Sequence, residues 1–281
     1  SPSSTVRCNG GYQFGKRLYH DWKAGGHGLV DLHAALVHSC DVYFYTVGQR
    51  MGIDVMAEYG KEFGLGQGTG VELPSERTGI MPSTAWKQKT KNEPWLPGET
   101  ISAAIGQGYV TVTPLQMASL IGTVANDGVS FRPRLVQAIM DRTTGHLQEL
   151  PAVPRGKVNA KPETFRLIKE ALADVVKVGT ATRAKSSVVT IAGKTGTAQT
   201  AALRTGPEKD IPKKFRDHAW FVAFAPVESP KIAVAVLAEH MGHGGSAAAP
   251  LAKEVIETYM KLAPQAPVVT SAGTSPSSEQ S

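Results

Sequence analysis

The run Lys194-Thr195-Gly196-Thr197 combines a cation, two hydroxyls and a glycine inside the β-rich stretch from Val188 to Gln199. Glycine leaves the backbone open to close approach by a ligand, and side chains two residues apart on a strand point to the same side. The run therefore predicts a site for a carboxylate-bearing substrate that pairs with the strand edge. The alternative is a polar edge strand with a solvated lysine. The glycine and lysine spacing differs from that of a phosphate-binding P-loop.

A serine and a carboxylate flank a cysteine in Ser39-Cys40-Asp41, directly before the run Val42-Tyr43-Phe44-Tyr45. At the start of a helix, the side chains of Ser39 and Asp41 can point into one site. Alternatively, one of them caps the helix by accepting hydrogen bonds from free backbone amides. The motif is the second candidate for a catalytic site.

Cys8, Asp21, His27 and Cys40 form a candidate structural zinc site, because all four offer ligand types found in closed tetrahedral zinc sites. Cys40 is the middle residue of the serine–aspartate motif, so its side chain is expected to face the metal while its neighbours face the substrate. Two alternatives stay open, a Cys8–Cys40 disulfide and two unrelated buried thiols. The competing histidine ligands are His20, His33 and His38.

Composition limits the class of protein that positions these residues. The chain has 281 residues, 41% of them hydrophobic, with 30 Lys and Arg against 24 Asp and Glu. This is typical of a globular protein, and no apolar run is long enough to span a bilayer. The basic residues are spread along the chain and are not gathered on one helix, which argues against nucleic-acid binding. We expect one globular domain over residues 1–262 and a disordered tail rich in Pro, Ser and Thr over 263–281.

Apolar residues at helical spacing predict several helices. One is expected to begin with Asp54 as its cap and to end at Gly64, and another begins at Thr113-Pro114, a cap followed by a proline in the first turn. The segments 165–176 and 251–259 carry similar apolar faces. Helices therefore occur both before and after the β-rich part of the chain.

Three β-rich runs follow one another at 188–199, 218–225 and 231–239. The last two are joined by Pro226-Val227-Glu228-Ser229-Pro230, which is too short for a crossover helix and favours an antiparallel hairpin. The predicted fold class is α+β, an antiparallel sheet flanked by helices.

Taken together, the serine–aspartate motif and the distant Lys-Thr-Gly resemble the penicillin-binding proteins and serine β-lactamases, in which Ser-x-Asn is followed far downstream by Lys-Thr-Gly. Asp41 stands in place of the asparagine, a variant that some penicillin-binding proteins show. Further blocks are similar to the class B, elongation-type transpeptidases known as penicillin-binding protein 2. These blocks are Tyr19-His20-Asp21-Trp22-Lys23, Gly26-His27-Gly28, Gly106-Gln107-Gly108, Thr113-Pro114-Leu115-Gln116-Met117-Ala118, Gly179-Thr180-Ala181 and His218-Ala219-Trp220-Phe221.

The resemblance implies the penicillin-binding fold and a peptidoglycan DD-transpeptidase that works through a serine acyl-enzyme and is trapped by β-lactams. Ser39 would relay a proton to the departing amine, and Asp41 would orient the substrate amide or the catalytic lysine. Lys194 would supply positive potential for Ser39 and the substrate carboxylate. Thr195 and Thr197 would bind that carboxylate beside Gly196, with the Thr197 amide as half of the oxyanion hole.

The resemblance also implies a setting. Peptidoglycan stem peptides and β-lactam antibiotics would be the ligands, and a glycosyltransferase of the SEDS (shape, elongation and sporulation) family the partner. The family's place is the periplasmic face of the bacterial inner membrane, with an upstream anchor. No cofactor is expected for catalysis, so the zinc would be structural.

The family nucleophile lies in Ser-x-x-Lys, and these 281 residues contain no such motif. The nearest match before Ser39 is Ser4-Thr5-Val6-Arg7, but an arginine stays protonated and cannot act as a general base. The expectation is a C-terminal fragment of the transpeptidase domain that is inactive by itself.

Overall fold

A computed structural model of the chain describes residues 1–200 and 211–262. Its central sheet consists of the strands β9 (Ala192–Ala198), β10 (His218–Ala225) and β11 (Ile232–Ala238). The sheet is antiparallel, and β10 lies between β9 and β11. All three predicted β-rich runs and the antiparallel hairpin are thereby confirmed. In the register, Lys194 of β9 lies opposite Val222 of β10.

Helices cover both faces of this sheet. The bounds are α6 (Pro114–Ala125), α7 (Pro162–Lys177) and α8 (Ala248–Leu262). Phe221 and Ile256 of α8 belong to one core cluster, whereas Val222 and Ile121 of α6 belong to another. Because adjacent residues of β10 enter different cores, the strand reads as a continuous apolar run.

The N-terminal part forms a smaller layer of short strands and helices. β1 (Val6–Cys8) pairs with β4 (Gly28–Val30), and β2 (Gly11–Phe14) pairs with β3 (Arg17–His20). The helices that follow are α1 (Leu32–His38), α2 (Asp41–Met51) and α3 (Ile53–Glu62). Cys8 and Cys40 lie fully buried in the core of this layer.

The middle of the chain adds two helices and two small antiparallel sheets of two strands each. The helices are α4 (Thr84–Lys91) and α5 (Pro97–Ala103), and α5 packs against α2. The strands of these sheets are β5 (Val129–Phe131), β6 (Ala138–Met140), β7 (Leu147–Glu149) and β8 (Pro154–Lys157). The hairpin β6–β7 lies between β5 and β8 in the chain, and β5 pairs with β8.

The predicted start of α6 is confirmed in detail. The Thr113 hydroxyl accepts a hydrogen bond from the Gln116 amide, and the Gln116 side chain accepts one from the Thr113 amide. The buried Gln116 side chain also donates to the carbonyls of Gln67 and Thr78. One residue therefore closes the helix start and fastens a loop from earlier in the chain.

The prediction that Asp54 caps α3 is wrong. The helix begins at Ile53 after Gly52 and ends at Glu62, before the predicted Gly64. The Asp54 carboxylate instead accepts hydrogen bonds from the amide and hydroxyl of Thr84, at the start of α4. The Asp54 carboxylate therefore connects α3 to the start of α4 and does not cap its own helix, although its residue type favours a cap.

The expected disordered tail at 263–281 lies outside the described residues. In the described part of the chain, no helix is both long and apolar enough to cross a membrane.

Candidate active site

Ser39 occupies a sharp corner between two helices. It follows the last residue of α1, and α2 begins two residues later, at Asp41. Its φ of 55° and ψ of 51° are left-handed, a conformation uncommon for a residue with a side chain. Ser39 therefore ends α1, and the alternative that its side chain caps the next helix is wrong. The corner turns the Ser39 hydroxyl toward the central sheet.

Lys194 reaches this corner from β9. Its Nζ donates to Ser39 Oγ at 2.9 Å and to the Thr195 carbonyl at 3.2 Å, so residues 155 positions apart in sequence meet here. Burial lowers the pKa of Lys194 from 10.5 to about 8, against an opposing effect of the Asp41 charge. In the part of the chain that the structure describes, its hydrogen-bond partners are a neutral hydroxyl and a carbonyl, so no carboxylate there neutralises the ammonium form by contact.

Asp41 lies at the start of α2, and its Oδ2 accepts a hydrogen bond from the Trp22 amide at 3.1 Å. Burial raises the pKa of Asp41 to about 6, helped by the charge of Asp21 and opposed by the Trp22 amide and by Lys194. The site therefore contains a lysine with a lowered pKa and a carboxyl group with a raised one. Such paired perturbations are typical of functional sites.

The outer edge of β9 is open to a ligand in the described part of the chain. The Thr197 carbonyl accepts from Gln107 Nε2 at 3.3 Å, and the Thr195 carbonyl accepts from Lys194. Because a strand residue presents its N–H and C=O to the same side, the Thr195 and Thr197 amides also face away from β10. An extended peptide could pair with this edge.

Thr180 ties the open edge to the rest of the site. Its hydroxyl lies 2.8 Å from the Thr195 hydroxyl, and its amide donates to the carbonyl of Val37, near the end of α1. The preceding Gly179 packs so closely that a Cβ there would collide with the same Val37 carbonyl. A Cβ at Gly244 would likewise collide with the backbone of Gly196. The strand and the serine corner are thus held by backbone contacts as well as side chains.

The four predicted zinc ligands are also brought together. One ligand atom from each of Cys8, Asp21, His27 and Cys40 lies within 4.8 Å of the others. Cys8 Sγ is 3.4 Å from Asp21 Oδ2 and 3.7 Å from His27 Nδ1, which is 3.3 Å from Asp21 Oδ1. Ligands bound tetrahedrally to zinc stand about 3.3–3.8 Å apart, given bonds of about 2.0–2.3 Å. The donor set fits zinc in its chemistry, and the separations among Cys8, Asp21 and His27 lie in this range.

Burial shifts the pKa values of two members of this cluster. Burial lowers the pKa of His27, which favours the neutral imidazole that metals bind, and burial raises the pKa of the Cys40 thiol. Both cysteines are free thiols, so the alternative of a disulfide is wrong. Asp21 also has a structural use, since its Oδ2 accepts from the Val42 amide at the start of α2.

Three residues at the site had no predicted role, namely Trp22, Gln107 and Thr180. Each belongs to a block that carries the family resemblance, but the sequence did not predict which residues they contact. Gln107 meets Thr197 across 90 positions, and Thr180 meets Thr195 across 15. No local pattern specifies such pairings.

Comparison with known proteins shows the family to which the chain belongs. The family model described as penicillin binding protein transpeptidase domain matches residues 1–257. The peptidoglycan D,D-transpeptidase MrdA of Acinetobacter baumannii is 40% identical over 255 residues, which are 89% of this chain and 37% of the relative. MrdA of Escherichia coli K12 is 35% identical over 256 residues, 87% of this chain and 39% of the relative. The chain thus spans about two fifths of the length of these relatives.

Solved structures agree with these matches. The complex of PBP2 with MreC from Helicobacter pylori has a TM-score of 0.80 at 31% identity and covers 94% of this chain and 46% of that one. Pseudomonas aeruginosa PBP2 in complex with WCK 5153 has a TM-score of 0.79 at 34% identity and covers 92% of this chain and 56% of that one. The predicted α+β penicillin-binding fold is therefore confirmed, and the chain belongs to the transpeptidase-domain family of penicillin-binding proteins, with the PBP2 type among its relatives.

Proposed function

We propose that this chain is part of the catalytic domain of a peptidoglycan DD-transpeptidase that forms a serine acyl-enzyme and binds β-lactams covalently. The observation that carries the proposal is the 2.9 Å contact between Lys194 Nζ and Ser39 Oγ, beside the open edge of β9. Lys194 makes no carboxylate contact within residues 1–200 and 211–262, so it is suited to attract the terminal carboxylate of a stem peptide.

The proposed roles follow from the geometry. The stem peptide pairs with the edge of β9, where the hydroxyls of Thr195 and Thr197 and the backbone at Gly196 receive its carboxylate. The nucleophilic serine gives its proton to the lysine of its own Ser-x-x-Lys as it adds to the carbonyl of the penultimate D-Ala, and the outward-facing Thr197 amide stabilises the oxyanion. When the C–N bond breaks, Ser39 relays that proton to the departing D-Ala amine. An acceptor amine then attacks the ester, and the proton that it loses returns to the released serine.

The nucleophile itself is proposed to come from polypeptide outside these 281 residues, which contain no Ser-x-x-Lys. The test is the intact mass of this purified chain after exposure to excess benzylpenicillin, beside a longer form of the protein that includes the preceding sequence. We expect no added mass on the chain and one adduct on the longer form. An adduct on the chain itself would show that one of its own serines reacts, and Ser4 and Ser39 would be mapped first.

The lack of Ser-x-x-Lys also favours a second candidate, a non-catalytic β-lactam-sensing or zinc-stabilised binding module. The same experiment separates the two proposals. If the longer form also gains no mass while a non-covalent ligand still binds, the module is favoured and the transpeptidase is overturned.

We also propose that Cys8, Asp21, His27 and Cys40 hold one structural zinc. The metal would bind the thiolates, neutral imidazole and carboxylate, and so stabilise the segment that carries Ser39 and Asp41. Metal analysis of the purified protein is expected to find about one zinc per chain, lost in Cys40→Ser. His33→Ala is the matched control, because His33 lies on the surface beside Asp174. Zinc that is absent, or unchanged in Cys40→Ser, would contradict the site.

The setting of the protein is proposed from the family alone. The structurally similar proteins include the complex of PBP2 with MreC from Helicobacter pylori and a peptidoglycan synthase complex. We propose that the parent protein works at the periplasmic face of the inner membrane with a SEDS glycosyltransferase. Co-purification of the two proteins from detergent extracts tests this, and a glycosyltransferase that elutes separately would contradict it.

A further inference from the structure

Trp22 makes an unusual contact with the corner that holds Ser39. Its indole Nε1 donates to the Ser39 carbonyl at 2.9 Å and to the His38 carbonyl at 3.1 Å. These carbonyls lie at the C-terminal end of α1, where a helix leaves its last acceptors without partners. The indole therefore supplies the donor that the helix lacks.

The backbone of the same residue reaches the other side of the motif. The Trp22 amide donates to Asp41 Oδ2 at 3.1 Å, so one residue contacts both Ser39 and Asp41. The indole ring also lies against the ring of His27, with 5.5 Å between the ring centres. Trp22 is thus fastened at two points to the segment that it contacts.

The exposure of Trp22 shows that burial does not explain its position. The residue is 61% exposed, an unusual state for a tryptophan whose ring could otherwise enter a core. Ser39 meanwhile holds a left-handed conformation that persists only where the surroundings impose it. The indole N–H is the side-chain donor that reaches its carbonyl.

We propose that Trp22 is a positioning residue for Ser39: its indole N–H holds the left-handed corner so that Ser39 Oγ meets Lys194 Nζ. This inference rests on the proposed function for its catalytic consequence. Its structural part does not depend on that function, so the two are tested separately.

The structural test uses this chain and the variant Trp22→Phe, which keeps an aromatic ring and removes the N–H. Crystal structures of both are expected to show that the Ser39 Oγ to Lys194 Nζ distance grows from 2.9 Å to beyond hydrogen-bond range in the variant. Replacement of Trp22 by β-(3-benzothienyl)alanine, which keeps the shape of the indole but lacks the N–H, is the second variant in case the first folds poorly. Trp86→Phe in α4 is the matched control. An unchanged distance in the variants overturns the proposal.

The kinetic test uses the longer form that includes the nucleophile. We expect Trp22→Phe to slow acylation by a fluorescent penicillin about 10- to 100-fold in the bond-forming step, with the dissociation constant of the first, non-covalent complex and the fraction of reactive protein unchanged. A purely structural role would lower the reactive fraction and leave the rate of the remainder alone, and that result overturns the proposal. If the unmodified protein is not acylated, the proposed function fails, whereas the distances in the crystal structures still decide the role of Trp22.

Discussion

Lys87 and Lys194 are both withdrawn from solvent, but the protein treats their charges in opposite ways. The Lys87 side chain is 2% exposed, and its Nζ lies 2.6 Å from Glu99 Oε1 and 3.6 Å from Glu93 Oε2. The hydrogen bond that Lys87 donates to the Glu99 carboxylate raises the pKa of Lys87. Lys194 contacts only a hydroxyl and a carbonyl among the described residues, and burial lowers its pKa to about 8.

The difference indicates that Lys87 has a structural role, whereas Lys194 is available to bind a ligand. Glu99 neutralises Lys87, and its Oε2 also accepts from the Leu96 amide at the start of α5, the helix that packs against α2. Among the described residues, Lys194 has no such carboxylate contact. Under the proposed function, the carboxylate of a bound substrate would take the place that Glu99 has beside Lys87, and the buried charge of Lys194 makes the protein less stable until it is bound.

The largest effect on stability is expected for Lys87→Met. It leaves Glu99 without its cation in a sheltered position, so we expect the Tm to fall by roughly 10 °C. Lys89→Met, on the exposed side of the same helix, is the control and should leave the Tm almost unchanged. Calorimetry measures both. The double variant Lys87→Met with Glu99→Gln should recover part of the loss, and a single variant as stable as the parent would show that the pair is not structural.

The opposite result is expected for Lys194→Met. Since burial of this charge opposes folding, its removal should increase the free energy of unfolding by about 2 kcal/mol at pH 7. The same variant should lose acylation in the longer form of the protein. Urea denaturation is the measurement, with exposed Lys185→Met as the control. A destabilised Lys194→Met would mean that the two lysines are structurally alike.

The pH dependence of stability sharpens the comparison. The folded chain releases the Lys194 proton near pH 8, whereas the unfolded chain holds it to its ordinary value of 10.5. The unfolded state therefore binds more protons between these values, and the contribution of Lys194 makes the free energy of unfolding rise with pH across that window. We expect a gain of about 1 kcal/mol between pH 7 and 9. Denaturation curves at several pH values should show this gain in the parent chain. A gain of the same size in Lys194→Met would assign it to other groups.

The smallest effect is expected for Asp41→Asn. The Asp41 charge raises the pKa of Lys194, so its removal should lower that pKa below about 8. The neutral fraction of Lys194 at pH 7 should increase roughly threefold. NMR titration of isotopically labelled lysine side chains measures this, with Lys87 in the same sample as an internal control. A higher Lys194 pKa in the variant would contradict the assigned influence of Asp41.

The sequence was informative where chemistry or burial is local. The small residues around Lys194 and the continuous apolar run of β10 predicted the central sheet, and the Thr113-Pro114 pair predicted the start of α6. The strands β1 to β4 were not predicted, because strands of three or four residues with mixed polarity have no clear alternation.

The sequence predicted the residues of the site but not the contacts that hold them in place. The motifs around Ser39 and Lys194 indicated the chemistry, since their spacing is short and specific. The left-handed corner at Ser39 and the contact from Trp22 depend on how α1 ends and on a side chain 17 positions earlier. Such geometry is fixed by tertiary packing, which propensity and periodicity do not encode.

The close packing at Gly179 and Gly244 has a consequence for how this site can change over time. Any other residue at either position would force the backbone beneath the serine corner or the Lys194 strand to move. Under the proposed function, selection by an antibiotic would therefore find few tolerated substitutions in the floor of the cleft. Variation that alters drug recognition and keeps function is expected instead at exposed side chains on the rim that make no contact with the serine corner or with the Lys194 strand.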